Sequence, residues 1–455
     1  MIINKSIFRE YDIRGKYPDE INEQIAEAIA SAFAINFKIK KIALAKDKRP
    51  QSDRIYEHVK AGLLKAGCEV YEMGQQSTPE LYFAVGFKNL DGGLMVTASH
   101  NPNGYTGLKL VNKNGLAIGT KNGLVGVADS AQKILDKKII LKNSRKKIKQ
   151  LDILHDYYKF VYSFIDYGKL KNLKTVLDVS GGSAAKIVEY FFIRMSGQNI
   201  KMNFRKDKFK DHGLNPMLPE NYKNIEKEVL KSESDLGIIW DGDGDRIIFI
   251  DDKGKFIEPY YINCLLAEIF LSKVKKNKKI VIDGRMQLAI KKVIAENQGQ
   301  TVVSRSGYSN LVAEMQRQKV LFGCENSGHY LFNLSLVYDG KNFICGDGII
   351  PALMIIEYLS EKGMKISDAI SIFKKEYKIS GEINLKNNNF TKSALKLKNK
   401  FKFDADETDG ISMGNGEWFF NVRKSNTEPL IRINIEAKEK KKIMELKKEL
   451  INLTK

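Results

Sequence analysis

A serine that follows an apolar run stands where an α/β protein could carry out phosphoryl chemistry. Leu94 and Val96 belong to a run that predicts the end of a buried strand, and Pro102 blocks its regular continuation. Ser99 therefore lies on a tight loop at the carboxyl end of a strand, where α/β folds place their chemistry. Because a serine needs nearby cations to carry or transfer a phosphoryl group, Lys109 is a candidate for one of them.

Three closely spaced aspartates, Asp241, Asp243 and Asp245, give the strongest local signal. Apolar residues on both sides predict strands, and carboxylates at i, i+2 and i+4 on a glycine-containing loop can converge on one hard cation. An EF-hand begins with the same pattern, but it needs glycine where Arg246 stands and helices on both flanks. The pattern therefore predicts a magnesium site, with Arg246 beside it for an anionic ligand.

Polar side chains alternate in a second loop, at Glu325, Ser327 and His329. If that loop is extended, all three side chains point the same way. A carboxylate, a hydroxyl and an imidazole together suit the hydroxyls of a sugar, and His329 could also move a proton. The alternative is a buried loop whose polar groups satisfy one another.

A third polar loop joins two predicted strands near the C-terminus and contains Arg423, Ser425, Asn426 and Thr427. Its guanidinium, hydroxyls and amide, together with exposed backbone N–H groups, could form a nest for a dianionic phosphate. Arg432 lies just past this loop. An ordinary polar turn is the alternative.

Alternating helices and strands would position these loops. Residues 22–37 and 54–65 have a helical period. Residues 41–45 and 69–73 predict strands, and Thr78 is a plausible N-cap for the helix that follows. This alternation predicts an α/β fold with mainly parallel sheets.

A weak internal repeat predicts how the domains are organised. Strands that end at Asp47, Asp178 and Asp283 each continue into a turn and a helix, which suggests three related α/β domains. Residues 130–150 predict a basic, helix-prone connection, and the chain beyond about residue 370 predicts a smaller α+β domain. The predicted domains are 1–145, 146–252, 253–368 and 369–455.

The charge balance indicates anionic partners. Lys and Arg total 75 against 55 Asp and Glu, which gives a formal net charge of +20. The basic runs lie far apart without interleaved aromatic residues, so we expect no nucleic-acid binding. Without a CxxC pair, a signal-peptide core or a long apolar run, the chain predicts a cytoplasmic protein with no zinc site and no membrane contact.

Taken together, the loops resemble the conserved loops of the α-D-phosphohexomutases, the family of phosphomannomutases and phosphoglucomutases. The resemblance covers essentially the whole chain, with the motifs in the family's order. The matching segments are 11–15, 97–102, 241–246, 325–329 and 423–429. The resemblance implies three α/β domains and a smaller C-terminal α+β domain around a central cleft.

The family's pattern also implies roles for individual residues. Ser99 would carry the phosphoryl group and, with Asp241, Asp243 and Asp245, would hold Mg²⁺. Arg14, Lys109 and His329 would take part in catalysis. The residues implied to bind substrate are Tyr11, His100, Arg246, Arg285, Tyr308, Glu325, Ser327, His329, Arg423, Ser425, Asn426, Thr427 and Arg432.

Some positions depart from the family's pattern. Cys324 replaces a common glycine, and Asn326 occupies a variable place linked to sugar preference. Arg285 stands where a lysine is frequent, and Tyr308 where a histidine is frequent. These departures leave the expected chemistry intact and leave the choice of sugar open.

The sequence therefore predicts a Mg-dependent mutase that interconverts the 6- and 1-phosphates of mannose, glucose or both. Its reaction would pass through a phosphoserine and a hexose 1,6-bisphosphate, which would also act as the activator. We expect a monomer or homodimer whose partner is a small hexose phosphate. The alternatives are a phosphoglucosamine mutase and, more remotely, a phosphatase or a basic nucleic-acid-binding protein.

Overall fold

The chain folds into two compact units. Unit 1 comprises residues 1–256 and 331–362, and unit 2 comprises residues 257–330 and 363–455. The computed structural model describes residues 1–141, 147–170, 173–193, 195, 197–205, 213–338, 340–386, 389–425 and 430–454.

Helices are distributed along both units. They are α1 (Glu23–Asn36), α2 (Ser52–Lys65), α3 (Thr78–Phe87), α4 (Leu124–Leu135), α5 (Leu154–Tyr162), α6 (Ala185–Phe192), α7 (Pro219–Ser232), α8 (Pro259–Lys273), α9 (Leu288–Glu296), α10 (Tyr308–Gln318), α11 (Ile350–Lys362), α12 (Ile366–Glu376), α13 (Phe390–Phe401) and α14 (Lys440–Thr454). None of the helices formed by the described residues is long and apolar enough to cross a membrane.

Strands alternate with these helices through most of the chain. They are β1 (Ile13–Lys16), β2 (Lys41–Lys46), β3 (Glu69–Gln75), β4 (Gly92–Val96), β5 (Tyr105–Asn112), β6 (Ile148–Gln150), β7 (Thr175–Asp178), β8 (Asn199–Met202), β9 (Leu236–Trp240), β10 (Ile247–Ile250), β11 (Phe256–Ile257), β12 (Lys279–Asp283), β13 (Gln300–Ser304), β14 (Phe322–Cys324), β15 (Tyr330–Asn333), β16 (Ile344–Gly346), β17 (Lys378–Ile379), β18 (Ile383–Lys386), β19 (Ile411–Gly414), β20 (Trp418–Lys424) and β21 (Leu430–Ala437).

The first sheet of unit 1 positions the serine loop. Its strands follow the order β1-β5-β4-β2-β3-β6. Strands β4, β2, β3 and β6 run parallel, whereas β5 is antiparallel to β4 and to β1. Because Lys109 on β5 pairs with Met95 on β4, this antiparallel return brings Lys109 close to the loop that carries Ser99.

The second sheet of unit 1 positions the aspartate loop. Strands β8, β7 and β9 are parallel, and β10 is antiparallel to β9. Trp240 at the end of β9 pairs with Ile247 at the start of β10, so the aspartates lie on the turn of a hairpin. The strand–loop–strand prediction for this segment is confirmed.

Unit 2 contains parallel and antiparallel sheets. Strands β13, β12 and β14 are parallel, so the loops after β12 and β14 lie at the same edge of that sheet. The C-terminal sheet is antiparallel, with β21 between β17 and β20 and with β18 also paired to β21. Helices α13 and α14 accompany this sheet, which confirms the predicted α+β character.

Local sequence explains why the first helix forms where it does. The Asn22 side chain accepts a 3.0 Å hydrogen bond from the Ile25 N–H and so caps α1, as its residue type favours. Ile25, Ile29 and Phe33 are buried in the core of the first sheet, at the spacing of one helix face. The predicted helix over 22–37 is therefore confirmed, within one residue at each end.

Two local predictions are wrong. Ser77, not Thr78, is the N-cap of α3, since Ser77 and Glu80 form a reciprocal capping box that fixes the first turn. The segment 130–150 is not helical throughout, because residues 148–150 form β6 and pair in parallel with β3. Lateral pairing with an existing strand overrode the helical propensity of that segment.

Candidate active site

Ser99 adopts a backbone conformation that few non-glycine residues adopt. Its φ is 51°, in the left-handed region, which costs on the order of 1–3 kcal/mol and persists only where the surroundings enforce it. The Ser99 N–H donates to Thr97 Oγ1 at 2.9 Å. Ser99 Oγ lies 3.2 Å from His100 Nδ1 and donates to Asp241 Oδ2 at 3.3 Å. The strained turn thus aims the hydroxyl at the aspartate loop.

Arg49 enforces the shape of the serine loop, although the sequence analysis assigned it no role. Its side chain is 1% exposed, and Asp47 Oδ2 accepts its Nε–H at 3.1 Å. Its two Nη groups donate to the backbone carbonyls of Ser99 (2.7 Å), Asn101 (2.7 Å), Pro102 (3.0 Å) and Tyr105 (3.1 Å). One guanidinium therefore binds four backbone carbonyls in and just after this loop. The position of Arg49 two residues after a strand-terminal aspartate was the available signal.

The aspartate cluster forms as predicted. Asp241, Asp243 and Asp245 are all buried, and one oxygen from each lies within 4.8 Å of the others. Burial raises the pKa of Asp241 well above its usual range, and the neighbouring Asp245 and Asp243 raise it further. Such a cluster is costly without a compensating positive charge.

The donor set fits a divalent cation. Carboxylate oxygens are the ligands that Mg²⁺ prefers, and Asp243 Oδ1 is buried with no hydrogen-bond partner among the residues that the structure describes. Asp241 Oδ1 is held by the N–H groups of Gly244 and Arg246 at 3.0 and 3.2 Å. Gly242 is required here, since a Cβ at that position would lie 2.7 Å from the Ser99 carbonyl oxygen.

Two side chains neutralise part of the cluster. Lys109 Nζ lies 2.6 Å from Asp243 Oδ2 and 2.5 Å from Asp245 Oδ2. Burial lowers the pKa of Lys109, but Asp243 and Asp245 outweigh that effect and raise it, so Lys109 is an ammonium. Thr78 Oγ1 donates to Asp243 Oδ2 at 2.6 Å, a role that the cap prediction missed.

Other predicted residues of unit 1 surround the loop. Arg14 donates to Asp12 Oδ2 through Nε and Nη2 at 2.8 and 2.6 Å, and to Asn101 Oδ1 through Nη1 at 2.6 Å. Burial lowers the pKa of His100 well below its usual range, helped by the positive charges of Arg246 and Arg14, so His100 is neutral. Tyr11 and Arg246 are partly buried, on the segment before β1 and on the aspartate loop.

In unit 2, the carboxylate of Glu325 contacts the two other side chains of the predicted sugar-binding loop. Glu325 Oε2 accepts from Ser327 Oγ at 2.7 Å and lies 2.9 Å from His329 Nδ1. The prediction of an extended loop is wrong, because the Glu325 N–H donates to the His329 carbonyl at 3.0 Å and closes a turn. That turn brings the three side chains together. Burial raises the pKa of Glu325. The hydrogen bond from His329 and the positive charges of His329 and Arg285 outweigh burial and lower that pKa.

Two further loops of unit 2 meet Glu325. Arg285 Nη2 lies 3.4 Å from Glu325 Oε1, which also accepts the Gly307 N–H at 2.9 Å. Tyr308 is partly buried at the start of α10, and its ring meets that of His329 edge-on with centroids 5.8 Å apart. The structure therefore places Arg285 and His329 against one carboxylate, and Tyr308 against the ring of His329.

The polar groups of Asn326 form hydrogen bonds with other residues of the protein. Its backbone N–H and its Nδ2 donate to the two oxygens of Asp283 at 2.6 and 3.1 Å, and its Oδ1 accepts from Asn263 Nδ2 at 3.0 Å. Asp283 also binds Arg285 Nε at 3.1 Å and Nη2 at 2.8 Å. The sequence analysis missed Asp283 and Asn263 as partners, although Asp283 was noted as the end of a strand.

The C-terminal loop is described in part. Arg423 and Ser425 are buried, whereas Asn426 and Thr427 lie outside the described residues. Glu382, which the sequence analysis missed, lies 3.4 Å from Arg423 Nη2 and 3.3 Å from Arg432 Nη1. Arg423 Nε and Ser425 Oγ are buried without hydrogen-bond partners among the described residues, as donors kept for an anion would be.

Family models match nearly the full length of the chain. Their descriptions are phosphoglucomutase/phosphomannomutase alpha/beta/alpha domains I, II and III and the C-terminal domain of the same family. The matched residues are 5–134, 155–254, 258–376 and 382–453.

Curated proteins and solved structures agree with these models. A phosphomannomutase of Escherichia coli is 33% identical over 454 residues, which cover 98% of both chains. A protein of Xanthomonas campestris named phosphohexose mutases is 33% identical, again over 98% of both chains. A solved structure of a phosphoglucomutase/phosphomannomutase family protein from Burkholderia thailandensis superposes with a TM-score of 0.85 at 24% identity, over 99% of this chain and 97% of that one.

Proposed function

The chain belongs to the phosphoglucomutase/phosphomannomutase family and is an isomerase of the phosphohexomutase type, and we propose that it is a Mg²⁺-dependent mutase of mannose phosphate, glucose phosphate or both. One observation carries this proposal. The hydroxyl of Ser99 donates to Asp241 inside a cluster of three buried aspartates, beside the ammonium of Lys109. Phosphoryl transfer depends on positioning and on charge stabilisation, and this arrangement supplies both.

In the proposed reaction, phosphorylated Ser99 donates its phosphoryl group to the free 1- or 6-hydroxyl of a hexose phosphate. The bond from phosphorus to Ser99 Oγ breaks while a bond to the sugar oxygen forms. The resulting 1,6-bisphosphate reorients and returns its other phosphoryl group to Ser99. A hexose 1,6-bisphosphate would therefore prime unphosphorylated enzyme and act as its activator.

The residues of unit 1 would act on the group in transfer. Asp241, Asp243 and Asp245, with Ser99, would hold Mg²⁺, whose positive charge stabilises the transferring phosphoryl group. Lys109 stays protonated between its two aspartates and can offset negative charge as it develops. Arg14 contributes a second positive charge, on a side chain that Asp12 and Asn101 hold in place.

The residues of unit 2 would bind the parts of the substrate that do not react. Glu325 and Ser327 would accept and donate to sugar hydroxyls, and His329 would orient the sugar or move a proton. Arg285 adjoins this carboxylate, and the Tyr308 ring contacts that of His329. The existing phosphate would be bound by the guanidinium groups of Arg423 and Arg432 and by Ser425, Asn426 and Thr427.

We also propose a substrate, a localisation and an oligomeric state. The partner is a small hexose phosphate, and the enzyme is a cytoplasmic monomer or homodimer. Relatives at 33% identity over almost the full length include phosphomannomutases, which favours mannose or glucose phosphate over glucosamine phosphate. A phosphatase would not need the C-terminal loop that contains Arg423 as a second phosphate-binding site.

A coupled assay tests the proposal. We expect the enzyme, primed with glucose 1,6-bisphosphate in the presence of Mg²⁺, to convert mannose 1-phosphate or glucose 1-phosphate to the 6-phosphate. Ser99→Ala should abolish turnover while hexose-phosphate binding survives. Steady release of inorganic phosphate in place of isomerisation, or preference for glucosamine phosphate, would contradict the proposed activity.

A further inference from the structure

A carboxylate far from the predicted motifs is buried in unit 2 against a helix end. Glu436 on β21 is 0% exposed, and its oxygens accept hydrogen bonds from the Tyr260 hydroxyl and the backbone N–H of Gln287. Both oxygens also accept the Leu288 N–H at 3.0 Å, and Oε1 lies 3.4 Å from the Ala289 nitrogen. All of these partners are donors. Burial raises the pKa of Glu436 to about 7, and the hydrogen bonds from the N–H groups of Leu288, Gln287 and Ala289 oppose that rise.

The helix end that Glu436 caps belongs to α9. The first N–H groups of a helix have no partner within the helix and carry its positive dipole end. Glu436 satisfies these groups from a different segment of the chain, because 436 falls within the match to the C-terminal family model and 288 within the match to the domain III model. The bonded segment begins two residues after Arg285.

A second carboxylate, that of Asp409, binds the backbone of the segment just before Tyr308. Asp409 Oδ2 accepts from the Ser306 N–H at 3.1 Å and from Ser306 Oγ at 2.6 Å. The adjacent carbonyl of Thr408 accepts from Arg305 Nε at 2.9 Å. Ser306 directly precedes Gly307, whose N–H donates to Glu325. Asp409 thus holds the loop that leads into Tyr308.

The two contacts share one consequence. Each runs from the C-terminal segment to a loop that carries a proposed substrate residue, and each holds the backbone of that loop. We propose that Glu436 and Asp409 are positioning residues, through which the C-terminal segment fixes the Arg285 and Tyr308 loops and so sets the affinity for hexose phosphate. This inference rests on the proposed function for its effect on affinity, and on geometry alone for its effect on the loops.

The chemistry of the two carboxylates suggests a matched set of variants. Asp409 uses one oxygen toward Ser306, so Asp409→Asn keeps an acceptor there, whereas Asp409→Ala removes it. Glu436 uses both oxygens as acceptors, so Glu436→Gln places an NH₂ group against backbone donors. Leu446→Ala in α14, a buried core residue, serves as a control that destabilises the C-terminal segment without touching either loop.

Steady-state kinetics on the full chain give the first readout. We expect Asp409→Ala and Glu436→Gln to raise the KM for hexose phosphate by about tenfold, the effect of leaving a buried backbone donor without a partner, with kcat within about twofold. Asp409→Asn should stay within about threefold of the wild type. Leu446→Ala should lower Tm and leave KM unchanged. If the carboxylate variants lower Tm while leaving KM at the wild-type value, the inference is wrong.

Amide hydrogen exchange gives a readout that does not depend on activity. We expect the amides of residues 287–289 to lose protection in Glu436→Gln, and the amide of Ser306 to lose it in Asp409→Ala but not in Asp409→Asn. Unchanged protection in these variants would overturn the inference. A wild-type enzyme without mutase activity would instead overturn the proposed function, because the exchange result would still report on the loops.

Discussion

The two sets of candidate residues treat their carboxylates in opposite ways. In unit 1, Asp241, Asp243 and Asp245 are gathered against one another, and Asp243 keeps a buried oxygen without a hydrogen-bond partner among the described residues. In unit 2, Glu325 and Glu382 are each set against arginines. An excess of buried negative charge favours binding a cation, whereas arginines with spare donors favour binding an anion.

This difference in the surroundings of the carboxylates indicates which chemistry each unit can support. Buried like charges are costly unless positive charges compensate them, so the aspartates of unit 1 suit a metal ion beside the ammonium of Lys109. Arg423 is held by Glu382, and its Nε has no hydrogen-bond partner in the part of the chain that the structure describes, which leaves a donor for a ligand. Four variants test this difference between the units, from the largest expected effect to the smallest.

Removing a charge from the aspartate cluster should have the largest effect. Asp243→Asn changes a proposed metal ligand, which is also the partner of Lys109 and Thr78, so we expect turnover to fall by at least ~100-fold at saturating Mg²⁺. Calorimetry should show weaker Mg²⁺ binding. Asp251→Asn is a suitable control, because Asp251 accepts the backbone N–H groups of Lys253 and Lys255 in a turn elsewhere in the same unit. Equal losses in both variants would argue against a metal site at Asp243.

Replacing an arginine of unit 2 by lysine should weaken substrate binding more than it slows the chemical step. In Arg423→Lys the planar pair of donors becomes a single ammonium, so we expect KM for hexose phosphate to rise by about tenfold or more. The exposed Arg317, which pairs with Glu314, offers Arg317→Lys as a control with unchanged KM. A fall in kcat at constant KM would show that Arg423 acts on the chemical step, which would contradict its assignment to substrate binding.

Loosening the serine loop should affect kcat and leave KM unchanged. Arg49→Lys keeps the charge but supplies too few donors for the four backbone carbonyls that the guanidinium binds. We expect kcat to fall by about tenfold, because the strained Ser99 conformation loses its support. The corresponding control is Lys60→Arg, at a lysine paired with Glu57 and Glu72. A rise in KM alone would contradict a loop-shaping role.

The smallest effect concerns stability and pH. The pKa of Glu325 is lower in the folded protein than in the unfolded chain, mainly because hydrogen bonding from His329 outweighs burial. A lowered carboxyl pKa gives stability that is fully present above about pH 5 and is lost as pH falls through the unfolded value near 4.3 and below. Glu325→Gln should therefore lower Tm more at pH 7 than at pH 4. An equal loss of Tm at both values would show that the pairing with His329 adds no stability.

The sequence predicted the features that a short segment determines. The serine loop and the aspartate hairpin each lie within a few consecutive residues, so spacing and flanking strands sufficed to predict them. The α/β alternation and the smaller α+β C-terminal domain followed from the same local patterns.

Long-range contacts could not be predicted in this way. Arg49 binds carbonyls about fifty residues away, and Glu382 and Glu436 reach partners that no local pattern connects to them. Thr78 was assigned to a cap because its type suits one, yet the fold aims it at Asp243. Such roles depend on which strands become neighbours, and that information is not contained in spacing along one segment.

The most direct test of the account asks whether Ser99 carries the phosphoryl group. Wild-type enzyme and Ser99→Ala would be incubated with glucose 1,6-bisphosphate and Mg²⁺, and the phosphorylated residue would be mapped by peptide mass spectrometry. We predict one phosphoryl group on the wild-type peptide that contains Ser99, which is discharged by excess hexose 6-phosphate, and none on the variant. Turnover by the wild type with no phosphate on Ser99, or an active Ser99→Ala enzyme, would contradict the account.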